Sequence, residues 1–350
     1  MMIDWVTCKA PFYYPGIISG GQFISLDVNG EIEHSTPKRR QFIGSWESSM
    51  TARTVGVDSN GDTCLIELSG NPVKFLQGHN LWGSDNLPAL VYETILKISS
   101  MLDVIQPASY IQRLMCTTLS RVDINEQFRI GSRKEALQCL YHIGSTSRTR
   151  SKGALTKGST VYLNKPSKRW EFKFYSKGQE LALPRNNKAG LIELPQAALD
   201  YADDIIRAEL TLKSNELRES EDGLYLLANW EQADCEQIFN DYYERLTMVD
   251  QLELQLIDLS KLPSGVRSTY QLWFDGHDVM SIISRPTFYR HRKQLLEHGI
   301  DISLSSNKKQ PDKSNVVPLV RTITLTPATI PDWAFGTDLY FEPRQLPTNK

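Results

Sequence analysis

Three short stretches carry residues whose types and spacing can do chemistry: SRVDIN (Ser120–Asn125), KRWEFKFYSKGQEL (Lys168–Leu181) and IIRAELTL (Ile205–Leu212). Each alternates apolar and polar positions, the period of a pleated strand. The alternation puts Val122 and Ile124 opposite Arg121 and Asp123, and Ile206, Ala208 and Leu210 opposite Arg207 and Glu209. It also puts Trp170, Phe172 and Phe174 opposite Arg169, Glu171, Lys173, Tyr175 and Lys177. In a shared sheet, one phenol, two carboxylates and several cations converge on one surface. Two carboxylates with open positions are how proteins hold Mg²⁺ or Mn²⁺, which keep waters and accept substrate phosphate as a further ligand. With Lys and Arg nearby, such a site stabilises charge on a phosphoryl group and favours a phenolate nucleophile. The chemistry is attack of Tyr175 on a phosphodiester, which leaves a 5′ phosphate on the tyrosine and a free 3′ hydroxyl. The bland alternative is a strand-end tyrosine with its hydroxyl in water.

The elements that must position these residues follow from periodicity. The first 85 residues read as β-rich: ISLDVNGEIEH carries an Asn-Gly hairpin signal, GDTCLIELSGNP ends in a turn cluster, and VKFLQGHN follows as a short extended piece. PALVYETILKISSML (Pro88–Leu102) has helical spacing, TTLSRVDINEQF (Thr117–Phe128) alternates, and SRKEALQCLYHIG reads as a helix capped by Ser132 and stopped by Gly144. STVYLN and RWEFKFYSK are arms of a hairpin, and LDYADDIIRAELTLKSN is a short helix running into a strand. From Leu224 to Leu259 the chain is helical and acidic, with Asn229 as a cap.

Beyond Leu262, three short helices break at Gly276 and at Ser284-Arg285-Pro286, and VVPLVRTITLTP closes as a strand, the outline of a winged helix-turn-helix. In the third helix Phe288, Leu295 and Leu296 point inward, leaving Arg285, Arg290, His291, Lys293 and Gln294 for phosphates and bases. The fold class is α+β: an antiparallel-sheet catalytic domain with flanking helices (residues 1–215), an acidic helical spacer (216–262) and a winged helix-turn-helix-like DNA-binding domain (263–350).

Composition sets the class. The 350 residues are 40% hydrophobic and 23% charged, as in ordinary globular proteins, and no apolar run is long enough for a membrane helix. The opening MMIDWVTC, acidic at Asp4 and without a following apolar block, argues against a secretion signal and for the cytoplasm. Cys8, Cys64, Cys116, Cys139 and Cys235 are scattered, without CxxC or a His pair at zinc spacing, and read as buried free thiols. The net charge of −2 hides its distribution. Ser145 to Arg185 holds ten bases against two acids, Asp200 to Asp258 sixteen acids against four bases, and Arg285 to Lys313 seven bases against three acids. Two basic islands around an acidic middle suit a protein that grips a phosphate backbone in two places.

NPVKFLQGHNLWG, LSRVDIN, KRWEFKFYSKGQEL, IIRAELTL, and NVVPLVRTITL with PDW occur in this order between Asn71 and Trp333. Together they resemble the gene II protein family, the replication initiators of filamentous phages; YSKGQE with RAEL is also similar to rolling-circle initiators of some plasmids. The resemblance implies a site- and strand-specific DNA nicking and joining enzyme that stays esterified to the 5′ end and later circularises the displaced strand. It implies Tyr175 as nucleophile and Lys177, on the same strand face, as a contact to the scissile phosphate or phenolate. Asp123 and Glu209 become ligands of Mg²⁺ or Mn²⁺, with Glu67 and His79 as further candidates. Arg121, Arg169, Lys173 and Arg207 on the sheet and Arg285, Arg290 and Lys293 on the third helix are the DNA contacts. Double-stranded origin DNA, the displaced single strand, a host helicase and a homo-oligomer on DNA are the expected partners, in the cytoplasm of a bacterial host.

The chain departs from the wider nickase pattern in having no His-hydrophobe-His pair: His79 stands alone. Tyr162, across the predicted hairpin, is the alternative nucleophile, flanked by Val161 and Leu163 as a packing residue would be. A non-catalytic DNA-binding regulator and a metal nuclease using water are the rival functions.

Overall fold

The alternating stretches become neighbouring strands of one antiparallel sheet. The computed structural model describes residues 1–44, 49–147, 149, 153–183, 194–246, 252–255, 262–274, 277–296, 300, 302–303, 320–323 and 326–344. Its strands are β1 (Met2–Tyr14), β2 (Gln22–Leu26), β3 (Ile32–Pro37), β4 (Arg40–Ile43), β5 (Ser49–Val57), β6 (Thr63–Gly70), β7 (Thr118–Arg129), β8 (Leu155–Lys157), β9 (Thr160–Leu163), β10 (Trp170–Ser176), β11 (Ile205–Lys213), β12 (Leu252–Gln255), β13 (Val320–Ile323) and β14 (Thr326–Pro327). The helices are α1 (Pro72–Gln77), α2 (Leu87–Met101), α3 (Ala108–Gln112), α4 (Arg133–Thr146), α5 (Lys177–Leu181), α6 (Gln196–Asp203), α7 (Ser214–Glu219), α8 (Cys235–Tyr243), α9 (Ser264–Phe274), α10 (Val279–Ile282) and α11 (Arg285–Leu296).

The main sheet runs β4-β5-β6-β1-β7-β11-β10-β9-β8, so the three stretches that carry the chemistry lie side by side as β7, β11 and β10. Lys173 faces Glu209, Tyr175 faces Arg207, Glu209 faces Asn125 and Thr211 faces Asp123. Because side chains alternate across a pleat, this register puts every one of these polar groups on one face. The other face buries Val122, Ile124, Phe172, Phe174, Ile206, Ala208 and Leu210 in the main core, with α4 against β9, β10 and β11. Each large apolar side chain so buried contributes about 1.5–3 kcal/mol. A smaller second core gathers Leu81, Trp82, Ala198, Tyr201, Ala202, Ile205 and Ala334.

Several expectations are corrected by tertiary structure. VKFLQ is helical: Asn71 accepts from the Lys74 N–H at 2.7 Å, Pro72 takes the first turn and Gly78, at φ 94°, closes it, so the turn cluster is a helix cap. Gly144 does not stop α4, which continues to Thr146. A Cβ there would meet Thr156 Oγ1 at 2.6 Å, so Gly144 serves close packing on the hairpin. Asn229 caps no helix; its amide donates to the carbonyls of Asp222 and Gly223, and Asp234 caps α8. Of the cysteines, Cys8, Cys139 and Cys235 are buried free thiols, but Cys116 is exposed and Cys64 half-buried.

The expected spacer does not stand apart in its first half. Leu217, Leu224, Leu227, Trp230, Cys235, Phe239 and Leu246 enter the same core as the sheet. Apart from Glu216, which is buried against Arg169 and Tyr242, the acidic residues are its solvated side. Beyond it, α9, α10 and α11 form their own core around Val266, Tyr270, Trp273, Phe288 and Leu295. The closing strand β13 pairs with β12, which precedes the three helices. The region between α11 and β13 that would form a wing lies mostly outside the described residues, as do Gly276, Lys308 and Lys309.

The last segment does not stay with the three helices. β14 takes the β7 positions Phe128 and Arg129, Trp333 packs edge-on against Trp82 with centroids 5.4 Å apart, and Arg344 pairs with Glu93 at 2.6 Å. Among the described residues no helix is long and apolar enough to cross a membrane.

Phe239, in the expected spacer, has its ring 5.2 Å from that of Phe172 and is 1% exposed. Phe239→Ala should therefore lower the unfolding free energy of the sheet domain by about 3–5 kcal/mol in chemical denaturation. A loss under about 1 kcal/mol would return this segment to the role of spacer.

Candidate functional site

A cleft of about 390 Å³ opens on the polar face of the sheet. Its lining comes from Asp4 and Trp5 on β1, Asn71 and Lys74 at the start of α1, Asn80, Arg121 and Asp123 on β7, Thr160 and Tyr162 on β9, Lys173 and Tyr175 on β10, Glu180 on α5, and Glu209 on β11. The Tyr175 hydroxyl donates to Glu209 Oε2 at 3.4 Å, and Lys173 Nζ holds Oε1 of the same carboxylate at 2.7 Å. Arg121 grips Asp123 through two hydrogen bonds of 2.8 and 2.6 Å, with its guanidinium 5.3 Å from the Trp5 ring. Asp4 accepts from the side-chain amides of Asn71 and Asn80 at 2.8 and 2.7 Å.

Burial sets the electrostatics. It pushes the Glu209 carboxyl up to about 7, against the pull of Lys173 and with a further push from Asp4 and Asp123. Burial raises Asp123 as well, opposed by Arg121 and reinforced by Asp4. Burial holds the Tyr175 phenol well above its ordinary range; Arg207, its cross-strand partner, pulls it back. The resting tyrosine is therefore neutral, and its nearest acceptor is a carboxylate that takes up a proton close to neutrality.

Arg207 is fully buried. Its Nη2 donates to the carbonyls of Asn80 and Leu81, and Nη1 stands 3.7 Å from Asp4. Among the described residues its Nε and Nη1 have no hydrogen-bond acceptor. Arg207 thus ties the 78–83 loop to the sheet and is closed off from DNA, which corrects its expected role as a contact.

Lys177 is also relocated. The strand ends at Ser176, whose hydroxyl caps α5, so Lys177 opens a helix and is fully buried, its Nζ donating to Asn80 Oδ1 at 2.8 Å and Glu180 Oε2 at 2.7 Å. Burial lowers Lys177 to about 8, opposed by Glu180. Glu180 falls to about 2 because Lys177 and Arg207 outweigh its own burial. The glycine of YSKGQE serves this helix: a Cβ on Gly178 would lie 2.9 Å from the Asp203 Cα, so nothing larger lets α5 approach α6.

Glu67 and His79 are not brought to the cleft. Glu67, on β6 beyond β1, is held by Arg39 and Arg53 and does not line the cleft. His79 is buried and driven down to about 4; Nε2 lies 2.9 Å from the Leu339 carbonyl and Nδ1 accepts from the Leu81 N–H, so it orders its loop. Arg169 is engaged by Glu216 and Glu219 beside α7. Arg285, Arg290 and Lys293 are exposed on α11, whereas His291 is buried against Thr269 Oγ1 at 2.8 Å. Tyr162 lines the cleft opposite Lys173, with Lys165 Nζ 3.5 Å from its ring centroid.

Sequence reasoning misses Asp4, Asn71, Asn80 and Glu180. Asp4 precedes Trp5 in a strand with a register shift between Ile3 and Trp5, so alternation does not assign it to the polar face. The two asparagines sit within NPVKFLQGHN, but their side chains act through loop closure, which no local spacing encodes.

Hard carboxylate oxygens from Asp4, Asp123 and Glu209, buried and mutually repelling, are the donor chemistry of a divalent cation. As arranged, Arg121 and Lys173 lie against Asp123 and Glu209. Among the described residues no three His, Cys, Asp or Glu side chains are gathered to hold a metal.

Residues 2–233 match the N-terminal region, and residues 253–342 the C-terminal region, of the phage replication-associated protein encoded by gene II. The chain belongs to the gene II replication-associated protein family. The replication-associated protein of Enterobacteria phage I2-2 is 33% identical over 333 residues, 94% of this chain and 95% of that relative. That of Enterobacteria phage M13 is 23% identical over 321 residues, 77% of this chain and 76% of the relative. A solved rolling circle replication initiator protein from Geobacillus stearothermophilus overlaps 70% of this chain and 84% of its own, at TM-score 0.31 and 11% identity, too slight a likeness to carry an argument. The N-terminal family match supplies the cleft. The C-terminal family match includes the tail that meets His79 and Trp82 through the Leu339 carbonyl.

Between its ordinary value of 4.5 and about 7, folded Glu209 binds a proton that the unfolded chain does not. Stability must then fall as pH rises through that window, with Asp123 acting in the same direction. Glu209→Gln should flatten this part of the curve of unfolding free energy against pH. An unchanged slope in the variant would assign the dependence to other groups.

Proposed function

We propose that this gene II family chain initiates rolling-circle replication as a DNA nicking and joining enzyme with Tyr175 as nucleophile. The observation that carries the reading is that Tyr175, though buried, lines an open polar cleft, with its hydroxyl 3.4 Å from the Glu209 carboxylate and under the influence of the Arg207 guanidinium. A phenol held only by packing would not share a cleft with buried carboxylates and two cations.

In this reading Tyr175 Oη attacks a phosphorus of the origin strand and its proton passes to Glu209 Oε2. The bond from phosphorus to the 3′ oxygen breaks, and that oxygen leaves as a hydroxyl carrying the proton given up by Tyr175, relayed from Glu209 through solvent. The 5′ phosphate remains on Tyr175. Arg207 supports the phenolate with N–H groups that otherwise lack acceptors, a buried arrangement that costs about 1–3 kcal/mol for each unpaired group. Lys173 and Arg121, already at the rim, turn to phosphate oxygens, and Lys177 acts as a positioning residue through Asn80 and Glu180. Rejoining runs the same steps backwards: a 3′ hydroxyl attacks the phosphotyrosine and Glu209 returns the proton.

Mg²⁺ or Mn²⁺ would be held by Asp123 with Asp4 beside it, and by Glu209 only while that carboxylate is ionised, and would supply neutralising charge at the phosphoryl group. Exposed Arg285, Arg290 and Lys293 on α11 are the contacts to double-stranded origin DNA. The displaced strand, a host helicase, a homo-oligomer on the origin and the host cytoplasm complete the proposal.

Tyr175→Phe should reduce nicking of a supercoiled origin plasmid by about a thousandfold or more while binding changes only a few-fold. Excess chelator should stop the wild type, and Mg²⁺ or Mn²⁺ should restore it. The decisive measurement is mass spectrometry of the DNA-linked peptide after digestion. A link at Tyr162 moves the nucleophile; no link with nicking indicates water as nucleophile, and no nicking at all indicates a binding regulator.

A further inference from the structure

The hairpin signalled by Asn29-Gly30 forms, and the chemistry above does not use it. Among the described residues β2 and β3 pair only with each other, as a two-stranded ribbon outside the main sheet, and no residue of it lines the cleft. Its apolar side chains stand in solvent: Phe23 is 61% exposed, Ile24 51%, Leu26 57% and Ile32 65%, with Val28 fully exposed at the tip. The register gathers three of them, because Leu26 faces Ile32 and Ile24 lies on the same side of its strand. An isolated two-stranded ribbon is marginal in water, and this one also shows an aliphatic face. A cover for Ile24, Leu26 and Ile32 would supply the missing layer.

The charges of the same segment identify the cover. They are sorted along the ribbon, with Asp27, Glu31 and Glu33 at the tip and Lys38, Arg39 and Arg40 at the root. Asp27 is kept an anion by the N–H groups of Glu31 and Asn29, and Ser25 donates to Glu33 at 3.3 Å; neither contact is with a cation. At the root, Arg39 shares Glu67 with Arg53, whereas Lys38 is exposed and Arg40 is exposed beside the Phe42 ring. Asp58 and Asp62 of the β5–β6 turn are taken up by the N–H groups of Asn60 and Gly16. DNA does not suit this ribbon, since the tip would carry acids into phosphates. A second ribbon laid antiparallel answers both ends at once, tip against root and root against tip. That arrangement is its own inverse, as a two-fold interface requires.

We infer that the chain self-associates through the β2–β3 ribbon: two copies pack antiparallel with Ile24, Leu26 and Ile32 at the seam, and Glu31 and Glu33 of each meet Lys38 and Arg40 of the other. This gives the homo-oligomer proposed above its surface and rests on that part of the reading alone. The five residues of β2 span about 17 Å, the overlap over which each tip reaches the other root. There a groove of about 400 Å³, lined by Ile17, Pro37, Val55 and Val57 with Arg53 among them, receives the fully exposed Val28 of the second copy. The ribbon is small for an interface, so the free chain dimerises weakly.

The test is sedimentation velocity on the full chain over about 1 to 100 µM, where the wild type should pass from monomer to dimer. Reducing buffer is used because Cys116 is exposed. A tip variant, Glu31→Lys with Glu33→Lys, sets cations against cations, and a root variant, Lys38→Glu with Arg40→Glu, sets acids against acids. Each alone should weaken self-association by about tenfold or more. An equimolar mixture of the two should restore it, since both ends are then matched again. Leu26→Asn in the wild type should weaken it by a similar factor, and unchanged circular dichroism confirms that every variant is folded. A wild type that stays monomeric throughout, tip or root variants that dimerise as the wild type does, or a mixture no better than its components would overturn the inference. So would a Leu26→Asn chain that dimerises unchanged. Tyr175→Phe protein should dimerise like the wild type, so absence of a covalent DNA adduct would defeat the nucleophile assignment and leave this result standing.

Discussion

The site depends on one buried cation. Arg207 is fully enclosed, and a guanidinium removed from water must be compensated by groups brought to it. The compensation comes from the carbonyls of Asn80 and Leu81 and from the Asp4 carboxylate. Those contacts draw the 78–83 loop onto the polar face and with it the Asn80 side chain, which reaches both Asp4 and Lys177. One strand residue therefore closes the cleft on the side of Tyr175, and the apparent DNA-binding arginine is its keystone.

The carboxylates obey the same electrostatic logic. Three acids share a low-dielectric face, and each is given a different remedy: amides for Asp4, a bidentate guanidinium for Asp123, an ammonium for Glu209. The ammonium reaches only one oxygen of Glu209, and the second is left toward the phenol. Glu209 is the acid pushed up to about 7, so proton uptake and proximity to the Tyr175 hydroxyl coincide on one group. Glu180 shows the converse: paired to Lys177, it is held near 2 and stays an anion.

What is legible in the sequence is what a period of two can encode. The shared face of Asp123, Tyr175 and Glu209 follows from alternation, and the strands prove adjacent. Alternation fails where a chain ends a strand or closes a loop. Lys177 is in phase with Tyr175, but the Ser176 cap turns the backbone into a helix and buries it. The QGHN motif looks like a place for a metal-binding histidine, and His79 instead holds a loop against a carbonyl some 260 residues away in the chain. No local pattern announces a contact of that range. The acidic stretch misleads in the same way, because most of its charges beyond Glu216 mark the solvated side of elements whose apolar side joins the main core.

The return of the C-terminal tail has a consequence for how the two family segments work together. Residues 326–344 leave the three-helix unit and pair with β7, pack on Trp82 and bind Glu93, so that unit is an insertion between two pieces of the sheet fold. A unit tethered at both ends has fewer accessible orientations than one on a single linker, and its effective concentration near the cleft is correspondingly higher. The tail also supports the loop that Arg207 recruits, through the Leu339 carbonyl on His79 and Trp82. The C-terminal family segment thus carries both the helices that present Arg285, Arg290 and Lys293 and the tail that supports the loop framing Tyr175.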